Sequence, residues 1–412
     1  MDGYWQQRRN EFPALAGGEF VYLDNAATTQ VPECVLEAVC GYYRAGAANP
    51  ARGLYRASVA AMDAFEQARA SVAAFLGTGA EEIAFTRNAT EALNLVAAAW
   101  AAQRLGPGDA VVVTAAEHHS NLLPWQRVCV KTGAALRVLG LDEQGRLDED
   151  ALVCALDCSA KILAMPHVSN VLGTVFPVAK AVELAHSAGA AVVLDCAQSA
   201  GHIPINLHGL GVDFAAFSGH KMYAPEGIGA LYVRQELLGQ VDPFLLGGGM
   251  VGSVWEQRSN YLQDIRKLEA GTQNVGGAIG MAAAVAYLQG IGVERIAERE
   301  SQLAERLLRG LAELGCVEVY GIPSAQAGRT GIVSFNVRGV DPQDVAFFLD
   351  ERNICLRVGS HCAQPLLRRL GVETCCRASL SFYNTFEEID QLCQALSTMQ
   401  RHASRRIMGM FP

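Results

Sequence analysis

Two short stretches decide the predicted fold of this chain: Phe217-Ser218-Gly219-His220-Lys221 and Leu194-Asp195-Cys196-Ala197-Gln198. In each stretch, apolar residues are followed by polar ones. This change is typical of the point where a buried strand of a parallel sheet ends and a loop begins. Because such sheets bind ligands beyond the carboxyl ends of their strands, we expect the polar residues of both stretches to meet in one site.

The sequence around these stretches alternates between apolar strands and helical patterns, which predicts an α/β fold. Strands are predicted at 21–24, 83–86, 110–114, 136–139, 162–165, 192–194, 214–217 and 231–233. Helices are predicted at 33–43, 89–105, from about 121, at 147–156 and at 178–188. Because these strands are continuous apolar runs without alternation, they indicate a mostly parallel sheet covered by helices on both faces.

The last third of the chain has a different order of elements. Helices are predicted at 278–289, 293–314, 343–352 and from 385, and strands at 317–320, 332–336, 354–357 and 376–381. We therefore predict a large domain over 21–275 and a smaller C-terminal α+β domain over 276–412, with helix 278–291 bridging them. Residues 1–20 are expected to pack with the small domain.

Composition narrows the class of protein. The 412 residues are 50% hydrophobic and 18% charged, with a net charge of −9, which is typical of a soluble enzyme and disfavours nucleic acid as a partner. The longest apolar stretch, near 93–102, is shorter than the roughly 18 residues of a membrane span, and the N-terminus does not resemble a signal peptide. Twelve cysteines without CxxC pairs predict free thiols, a cytoplasmic location and no metal site.

The side chains at the predicted strand ends are those that hold pyridoxal phosphate. A lysine forms a Schiff base with this cofactor and an acid pairs with its pyridine nitrogen, roles that Lys221 and Asp195 can fill. Hydroxyl, imidazole and backbone donors bind the phosphate, which suits Ser218, His220 and Thr90 at a helix N-terminus. Taken singly, each residue also has an ordinary structural interpretation as a loop lysine, a strand-end acid or a helix cap.

Further polar residues follow other predicted strands. Gln198 is placed to donate to the ring hydroxyl, and one of His118 and His119 to stack on the flat ring. Asn170 is placed to contact the ring oxygen or a substrate carboxylate. Arg377 lies in a predicted strand, where a buried guanidinium binds either a substrate carboxylate or a structural acid.

A loop in the small domain, Arg357-Val358-Gly359-Ser360-His361-Cys362-Ala363-Gln364-Pro365, places a cysteine beside a histidine and before a predicted helix. A helix N-terminus and an imidazolium both lower the pKa of a thiol, which favours a reactive thiolate. One cysteine among twelve is weak evidence, so an unreactive Cys362 stays open at this point.

Several ordered motifs together resemble a known family. The class V, fold-type I enzymes that use pyridoxal phosphate are similar in Ser218-Gly219-His220-Lys221, Asp195-x-Ala197-Gln198, Glu117-His118-His119, Val168-Ser169-Asn170-Val171-x-Gly173 and Glu269-Ala270-Gly271-Thr272. The cysteine loop, with Arg377-Ala378-Ser379 and Tyr383-Asn384-Thr385, resembles the group II (SufS/CsdA-like) cysteine desulfurases. The resemblance runs from about residue 21 to the last helix and implies a fold-type I transferase.

The resemblance implies a role for each residue. Lys221 would hold the cofactor and then act as base, with Asp195 on the pyridine nitrogen, Gln198 on the phenolic oxygen and His118 stacked on the ring. The phosphate cup would comprise Thr90, Ala89, Ser218, His220 and Thr272 of the second subunit of a homodimer. The substrate carboxylate would lie among Arg377, Asn170, Arg357, Ala26 and Ala27, and Cys362 would take the sulfur.

The implied reaction converts L-cysteine to L-alanine and leaves a persulfide for an acceptor such as a SufE-like protein. It belongs to sulfur mobilisation, for example for iron–sulfur cluster assembly, thio-cofactors or tRNA modification. Four positions depart from the family pattern, and their effect is open: Ala51, Ala89, Cys196 and Gln273. The acceptor, the turnover rate and the preference among cysteine, selenocysteine and cysteine sulfinate are open as well.

Two other functional classes are compatible with parts of the pattern. A selenocysteine lyase, transaminase, kynureninase-like hydrolase or epimerase would use the same cofactor site, and the last three reactions need no thiolate at Cys362. A non-catalytic sulfur-relay protein would keep the fold, but it would have no use for Lys221.

Overall fold

A computed structural model describes residues 2–50 and 53–407 of the chain. Ala51, one of the departures named above, lies outside the described residues, as do the side chains of the C-terminal arginine cluster. The described residues form fifteen strands: β1 Val21–Tyr22, β2 Ile83–Thr86, β3 Ala110–Thr114, β4 Ala135–Leu139, β5 Ala160–Pro166, β6 Ala191–Asp195, β7 Phe214–Ser218, β8 Gly229–Val233, β9 Val251–Val254, β10 Ser259–Tyr261, β11 Val317–Val319, β12 Ile332–Val337, β13 Ile354–Cys355, β14 Arg357–Gly359 and β15 Cys375–Ser379.

Helices occupy about half of the remaining described chain. They are α1 Asp2–Arg9, α2 Pro13–Ala16, α3 Glu33–Gly46, α4 Arg56–Phe75, α5 Ala89–Ala99, α6 Leu123–Thr132, α7 Glu149–Ala155, α8 Val178–Ser187, α9 Leu207–Leu210, α10 Gln235–Leu238, α11 Val275–Ile291, α12 Val293–Glu313, α13 Pro342–Asp350, α14 Gln364–Arg369 and α15 Phe386–Ile407. None of the described helices is by itself long and apolar enough to cross a membrane, and only the pair α11 and α12, bent by 77°, passes that test together.

The large sheet has seven strands in the order β2-β8-β7-β6-β5-β3-β4. Strands β3 to β7 pair in parallel, whereas β8 runs antiparallel to both of its neighbours. The predicted α/β fold with a mostly parallel sheet is confirmed. Consecutive residues of a strand alternate between two cores: Val112 packs in the core on one face, and Val111 and Val113 in the core on the other.

The small domain is built on an antiparallel sheet, β11-β12-β15-β14, with a separate hydrophobic core beneath α12 and α15. Strand β15 carries Arg377 and pairs with β14, which leads into the cysteine loop. Helix α15 begins with a reciprocal capping box, in which the Glu388 N–H donates to Thr385 Oγ1 and the Thr385 N–H donates to the Glu388 carboxylate. The pairing of β14 with β15 fixes the start of the cysteine loop on the small sheet.

Contacts near residues 20 and 275 concern the predicted domain limits. Arg9 forms an ion pair of 2.7 Å with Glu388, which attaches the N-terminal segment to α15. Helix α11 packs against α3 and α4 of the large domain, close to where the boundary was predicted. The domain limits themselves stay a prediction.

Two helical predictions need correction. Helix α5 ends at Ala99 and not near Leu105, because Trp100 leaves helical geometry and packs on Phe214 with ring centroids 4.9 Å apart. Helix α4, of 20 residues, was not predicted, because alanines form much of its buried face and give little apolar contrast.

Candidate active site

A cavity of about 290 Å³ lies at the carboxyl ends of the parallel strands, where the large domain meets the small one. Its lining includes every predicted site residue except Thr272: Ala26, Ala27, Ala89, Thr90, His118, Asn170, Asp195, Gln198, Ser218, His220, Lys221, Arg357, Cys362 and Arg377. Thr272 lies elsewhere, within 3.3 Å of the Asn49 side chain. The volume suits a small ligand, since such sites are typically a few hundred Å³.

Lys221 and Asp195 are the charged pair at the floor of the cavity. Asp195 ends β6 and is 7% exposed, and the Ala197 N–H donates to its carboxylate at 2.9 Å. Burial raises the pKa of Asp195, although this hydrogen bond and the charge of Lys221 oppose the rise. Burial lowers the pKa of Lys221 to about 8, with Asp195 opposing and Arg377 adding to the effect. About a tenth of Lys221 is therefore a neutral amine at pH 7, far more than for an ordinary lysine.

Hydroxyl groups converge at the end of the cavity beside α5. Asn88 caps this helix by accepting the Glu91 N–H, which leaves Thr90 in the first turn. The Ala89 N–H donates to Ser218 Oγ at 2.9 Å, so the Ser218 hydroxyl proton is available to a ligand. Gly219 allows close packing here, since a Cβ at this position would lie 2.8 Å from the Ile228 carbonyl oxygen. Together these groups form an anion site at a helix N-terminus.

His118 is held in one tautomer. Its Nδ1 accepts the Ser120 main-chain N–H at 3.1 Å and lies 3.0 Å from Ser120 Oγ. Because an N–H can only donate, Nδ1 carries no proton and Nε2 does. Burial lowers the pKa of His118 to about 3, with the charge of Lys221 as the next cause, so the ring is neutral. Ser120 Oγ also lies 2.7 Å from Thr90 Oγ1 and links His118 to the hydroxyl groups beside α5.

The side-chain amides of Asn170 and Gln198 donate to main-chain carbonyls around the cavity. The Gln198 amide donates to the Ala26 carbonyl at 2.8 Å. The Asn170 amide donates to the His361 carbonyl at 2.7 Å, and Arg377 donates to the Asn170 carbonyl at 2.9 Å. Asn170 Oδ1 and Arg377 Nε are buried and have no hydrogen-bond partner among the described residues. Since buried polar groups normally have partners, Arg377 Nε is an unsatisfied donor of a residue that lines the cavity.

Asp24 joins the two arginines of the site. Its Oδ2 accepts from Arg357 Nε at 3.0 Å and Nη2 at 2.7 Å, and its Oδ1 lies 3.4 Å from Arg377 Nη2. This pairing raises the pKa of Arg357, whereas burial lowers the pKa of Arg377. The interpretation of Arg377 as a substrate ligand or as a structural partner of an acid therefore has a mixed outcome. The guanidinium has an acid beside it and also an unpartnered nitrogen.

The cysteine loop has unusual backbone geometry. His361 and Cys362 both adopt positive φ, at 49° and 53°, a region that residues with a side chain seldom occupy. The Cys362 carbonyl accepts the His119 N–H at 2.7 Å, so the large domain holds the loop in place. Cys362 is exposed, and α14 begins two residues later, as predicted.

The expected imidazolium beside the thiol is wrong. His361 Nε2 lies 2.9 Å from the Cys375 carbonyl, and burial lowers the pKa of His361 to about 3. The ring is therefore neutral and hydrogen-bonded to the protein. A positive charge near Cys362 comes instead from Arg357 and Lys221, which line the same cavity.

These residues fit pyridoxal phosphate. A desolvated carboxylate suits the pyridine nitrogen, a lysine with a lowered pKa suits the aldehyde, and the hydroxyls beside α5 suit the phosphate. Sequence reasoning did not single out Asp24 or Ser120. A signal for Ser120 existed in its position after the two histidines, but Asp24 is 333 residues away from Arg357 and gave none.

The fold and the site define an α/β enzyme built to hold a pyridoxal-type cofactor beside a cysteine loop. The aminotransferase class-V family matches residues 21–392, and the chain belongs to this family. A cysteine desulfurase of Haloferax volcanii is 44% identical over 378 residues, which is 91% of this chain and 88% of the relative. A cysteine desulfurase of Klebsiella pneumoniae is 41% identical over 402 residues, covering 96% of this chain and 98% of the relative.

Coverage differs for one further relative. A probable cysteine desulfurase of Mycolicibacterium paratuberculosis is 44% identical over 94% of this chain, but the chain spans only 57% of that protein's length.

Solved structures agree with the sequence relatives. The apo cysteine desulfurase of Thermococcus onnurineus NA1 has a TM-score of 0.92 at 41% identity, covering 95% of this chain and 96% of that one. The S-sulfonic acid form of the cysteine desulfurase CsdA of Escherichia coli has a TM-score of 0.88 at 38% identity, covering 96% and 98%. The predicted family, fold and enzyme class, a class V cysteine desulfurase, are thereby confirmed.

Proposed function

We propose that this chain uses pyridoxal phosphate on Lys221 to convert L-cysteine to L-alanine, and that Cys362 receives the sulfur. The observation that supports this most directly is one cavity lined by Lys221, Asp195, Arg377 and the exposed Cys362. When bound, the cofactor supplies an electron sink for negative charge at the substrate α-carbon. The remaining steps follow from the residues of the chain.

Arg377 and Asn170 orient the substrate. The Arg377 guanidinium donates to one carboxylate oxygen, and the second N–H of the Asn170 amide is within the same wall. Ala26 and Ala27 leave room for the carboxylate because their side chains are small. Lys221 and Asp195 line the same cavity as this carboxylate site.

Lys221 takes the substrate proton, and His118 offers a fixed hydrogen-bond donor. With a pKa of about 8, the neutral Lys221 amine takes the α-proton of the substrate. His118 carries its own proton on Nε2 because Ser120 fixes the tautomer. That N–H is a hydrogen-bond donor at the wall of the cavity.

Cys362 takes part in the transfer of sulfur. Its thiolate attacks the substrate sulfur, a sulfur–sulfur bond forms, the carbon–sulfur bond breaks, and the carbon keeps the electron pair and is protonated. Because Cys362 is exposed, the persulfide is accessible to a second protein. A SufE-like acceptor remains part of the proposal, as does the cytoplasmic location predicted from the cysteines, all twelve of which are free thiols.

The proposal includes a homodimer. Thr272 lies outside its own subunit's cavity, so it can complete the phosphate cup only of a partner subunit. The Gly271 N–H donates to the Gly248 carbonyl at 2.8 Å, which joins the Thr272 loop to the segment of Leu245 and Leu246. These two leucines are 48% and 68% exposed, and Leu54 is 98% exposed. Apolar surface of this kind favours an interface.

The test measures alanine and sulfide released from L-cysteine by the cofactor-loaded protein in the presence of dithiothreitol. Wild type is compared with Cys362→Ala and with Cys154→Ala, a matched change at an exposed cysteine outside the cavity. We expect equal amounts of both products in wild type and Cys154→Ala, and a loss of at least about a hundredfold in Cys362→Ala. Undiminished alanine in Cys362→Ala would instead indicate a lyase or transaminase that does not use this thiol.

A further inference from the structure

A buried histidine contacts the main chain of Lys221 from outside the lining of the candidate site. His202 lies after β6 and is 7% exposed. Its Nε2 lies 2.9 Å from the Lys221 main-chain carbonyl oxygen. Its Nδ1 lies 2.9 Å and 3.1 Å from the two carboxylate oxygens of Glu300, a residue of α12 that is 2% exposed. One imidazole therefore joins the residue expected to hold the cofactor to an acid on a distant helix.

Both ring nitrogens of His202 act as donors. A carbonyl oxygen can only accept, so Nε2 carries a proton and donates it to the Lys221 carbonyl. Burial acts to lower the pKa of His202, but the charge and hydrogen bond of Glu300 outweigh it, and the pKa lies above its ordinary value. Geometry and charge thus agree on an imidazolium, whose hydrogen bonds are stronger than those of a neutral ring.

The same acid contacts the Lys221 turn by a second route. The Tyr223 hydroxyl donates to Glu300 Oε1 at 3.4 Å and lies 2.9 Å from Ser381 Oγ. Tyr223 has a positive φ of 67°, and its main-chain N–H donates to Thr29 Oγ1 at 2.9 Å. Residues with a side chain keep such a backbone only where their surroundings fix it. The turn at 219–223 is therefore held by its neighbours and not by its own preference.

Helix α12 connects this network to the cysteine loop. The helix packs with α15 on the core of the small sheet, and the cysteine loop leaves that sheet at β14. Lys221 follows β7 of the large sheet, and both Lys221 and Cys362 line one cavity. The contact from His202 to Glu300 thus ties the main chain of Lys221 to the part of the protein that carries Cys362.

We propose that His202 and Glu300 are positioning residues that fix the main chain of Lys221 relative to the domain of the cysteine loop, through the His202 Nε2 contact. They act through Lys221 and do not touch the substrate. The inference rests on the proposed role of Lys221 as the cofactor lysine and base. Because a displacement of about 1 Å at a reacting group can cost about a hundredfold in rate, loss of this contact lowers kcat more than it changes KM.

Two substitutions separate the two contacts of His202. In His202→Gln the amide nitrogen reaches about as far as Nε2, so it keeps the hydrogen bond to the Lys221 carbonyl. In His202→Asn the amide nitrogen lies about where Nδ1 was, so it keeps only the bond to Glu300. Both variants lose the positive charge, and any difference between them therefore reports the contact to Lys221.

Amide hydrogen exchange, measured by mass spectrometry on the peptide covering 219–224, reads the turn without any reaction. Two amides of this turn donate to the Gly219 carbonyl and are protected while the turn is held. We expect exchange about tenfold faster in His202→Asn and within about threefold of wild type in His202→Gln. The control His208→Asn replaces a histidine that is 58% exposed and pairs with Glu82, and it should change nothing. Equal exchange in both His202 variants would overturn the proposal.

The second readout is the kinetics of alanine formation from L-cysteine by the cofactor-loaded protein. We expect kcat to fall about tenfold in His202→Asn with KM within about twofold, and kcat to stay within about threefold in His202→Gln. A purely structural role would affect both variants alike, and equal losses of kcat would overturn the proposal. If His202→Asn does not fold, a tenfold loss in His202→Gln alone would overturn it.

Tyr223→Phe covers the case in which neither His202 variant folds, because it removes one hydroxyl and keeps the ring. It should speed exchange of the 219–224 peptide about threefold, and unchanged exchange would overturn the proposal. The two levels of inference stay separable. A wild type that makes no alanine would refute the proposed function, whereas the exchange measurement tests the tie to Lys221 in the protein as purified.

Discussion

The ion pair between Arg69 and Glu269 anchors the loop that carries Thr272, and we expect Glu269→Gln to destabilise the protein by about 3 kcal/mol. Arg69 on α4 is 2% exposed and Glu269 is 4% exposed, with two parallel bonds of 2.7 and 2.8 Å between them. Glu269 also accepts the Phe85 N–H at 2.6 Å, which ties the loop to β2. The substitution keeps the shape and one acceptor oxygen but leaves a buried guanidinium without its closest counter-charge.

The size of the effect follows from what remains around Arg69. Removing one partner of a buried pair typically costs about 3–5 kcal/mol. Glu66, with a side chain 44% exposed, still contacts Arg69 at 2.9 Å, and the Ile83 carbonyl still accepts from it at 2.7 Å. These remaining partners place the expected loss at the lower end of the range.

Urea unfolding followed by circular dichroism measures the loss. With a slope of about 3 kcal/mol per molar urea, the midpoint should fall by about 1 M. Asp264→Asn breaks the exposed pair with Arg266 and should change the stability by less than about 1 kcal/mol. A Glu269→Gln protein as stable as this control would refute the view that the buried pair holds the loop.

Three further outcomes are expected. Without cofactor, Lys221 reacts with added pyridoxal phosphate only as the neutral amine, so the rate of colour formation should rise with pH and reach half its maximum near pH 8; a midpoint near the ordinary value of 10.5 would contradict the lowered pKa. Ser218→Ala removes one phosphate donor and should speed cofactor dissociation about tenfold by absorbance, whereas Ser71→Ala, at an exposed site on α4, should not. Thr385→Ala breaks the capping box of α15 and should cost about 1 kcal/mol in thermal unfolding, against less than about 0.5 kcal/mol for Thr398→Ala within the same helix.

The central strands were predictable because buried strands appear in the sequence as uninterrupted apolar runs. Strands β2 and β3 lie at the predicted residues, since each is a short apolar run bounded by polar residues and buried along its whole length. Helix α4 was missed for the opposite reason: small residues such as Ala61 and Ala68 form much of its buried face. Apolar periodicity identifies a helix only where large apolar residues mark its buried face and polar residues mark its exposed face.

Within the site, local motifs identified residues but not their partners. Asp195 and Lys221 were predictable because each ends or follows a buried strand of one parallel sheet. The neutral state of His361 was not, because it depends on the Cys375 carbonyl and on burial in the folded chain. The same holds for Asp24, whose contacts to β14 and β15 join opposite ends of the sequence.

The left-handed backbone at Cys362 affects which residues are favoured at this position in related sequences. A residue with a Cβ at such φ values costs roughly 1–2 kcal/mol relative to ordinary geometry, whereas glycine adopts them freely. Selection for stability alone would therefore favour glycine at this position, and the proposed sulfur transfer would oppose it. A homologue with glycine in place of this cysteine would gain backbone stability and lose the proposed sulfur acceptor.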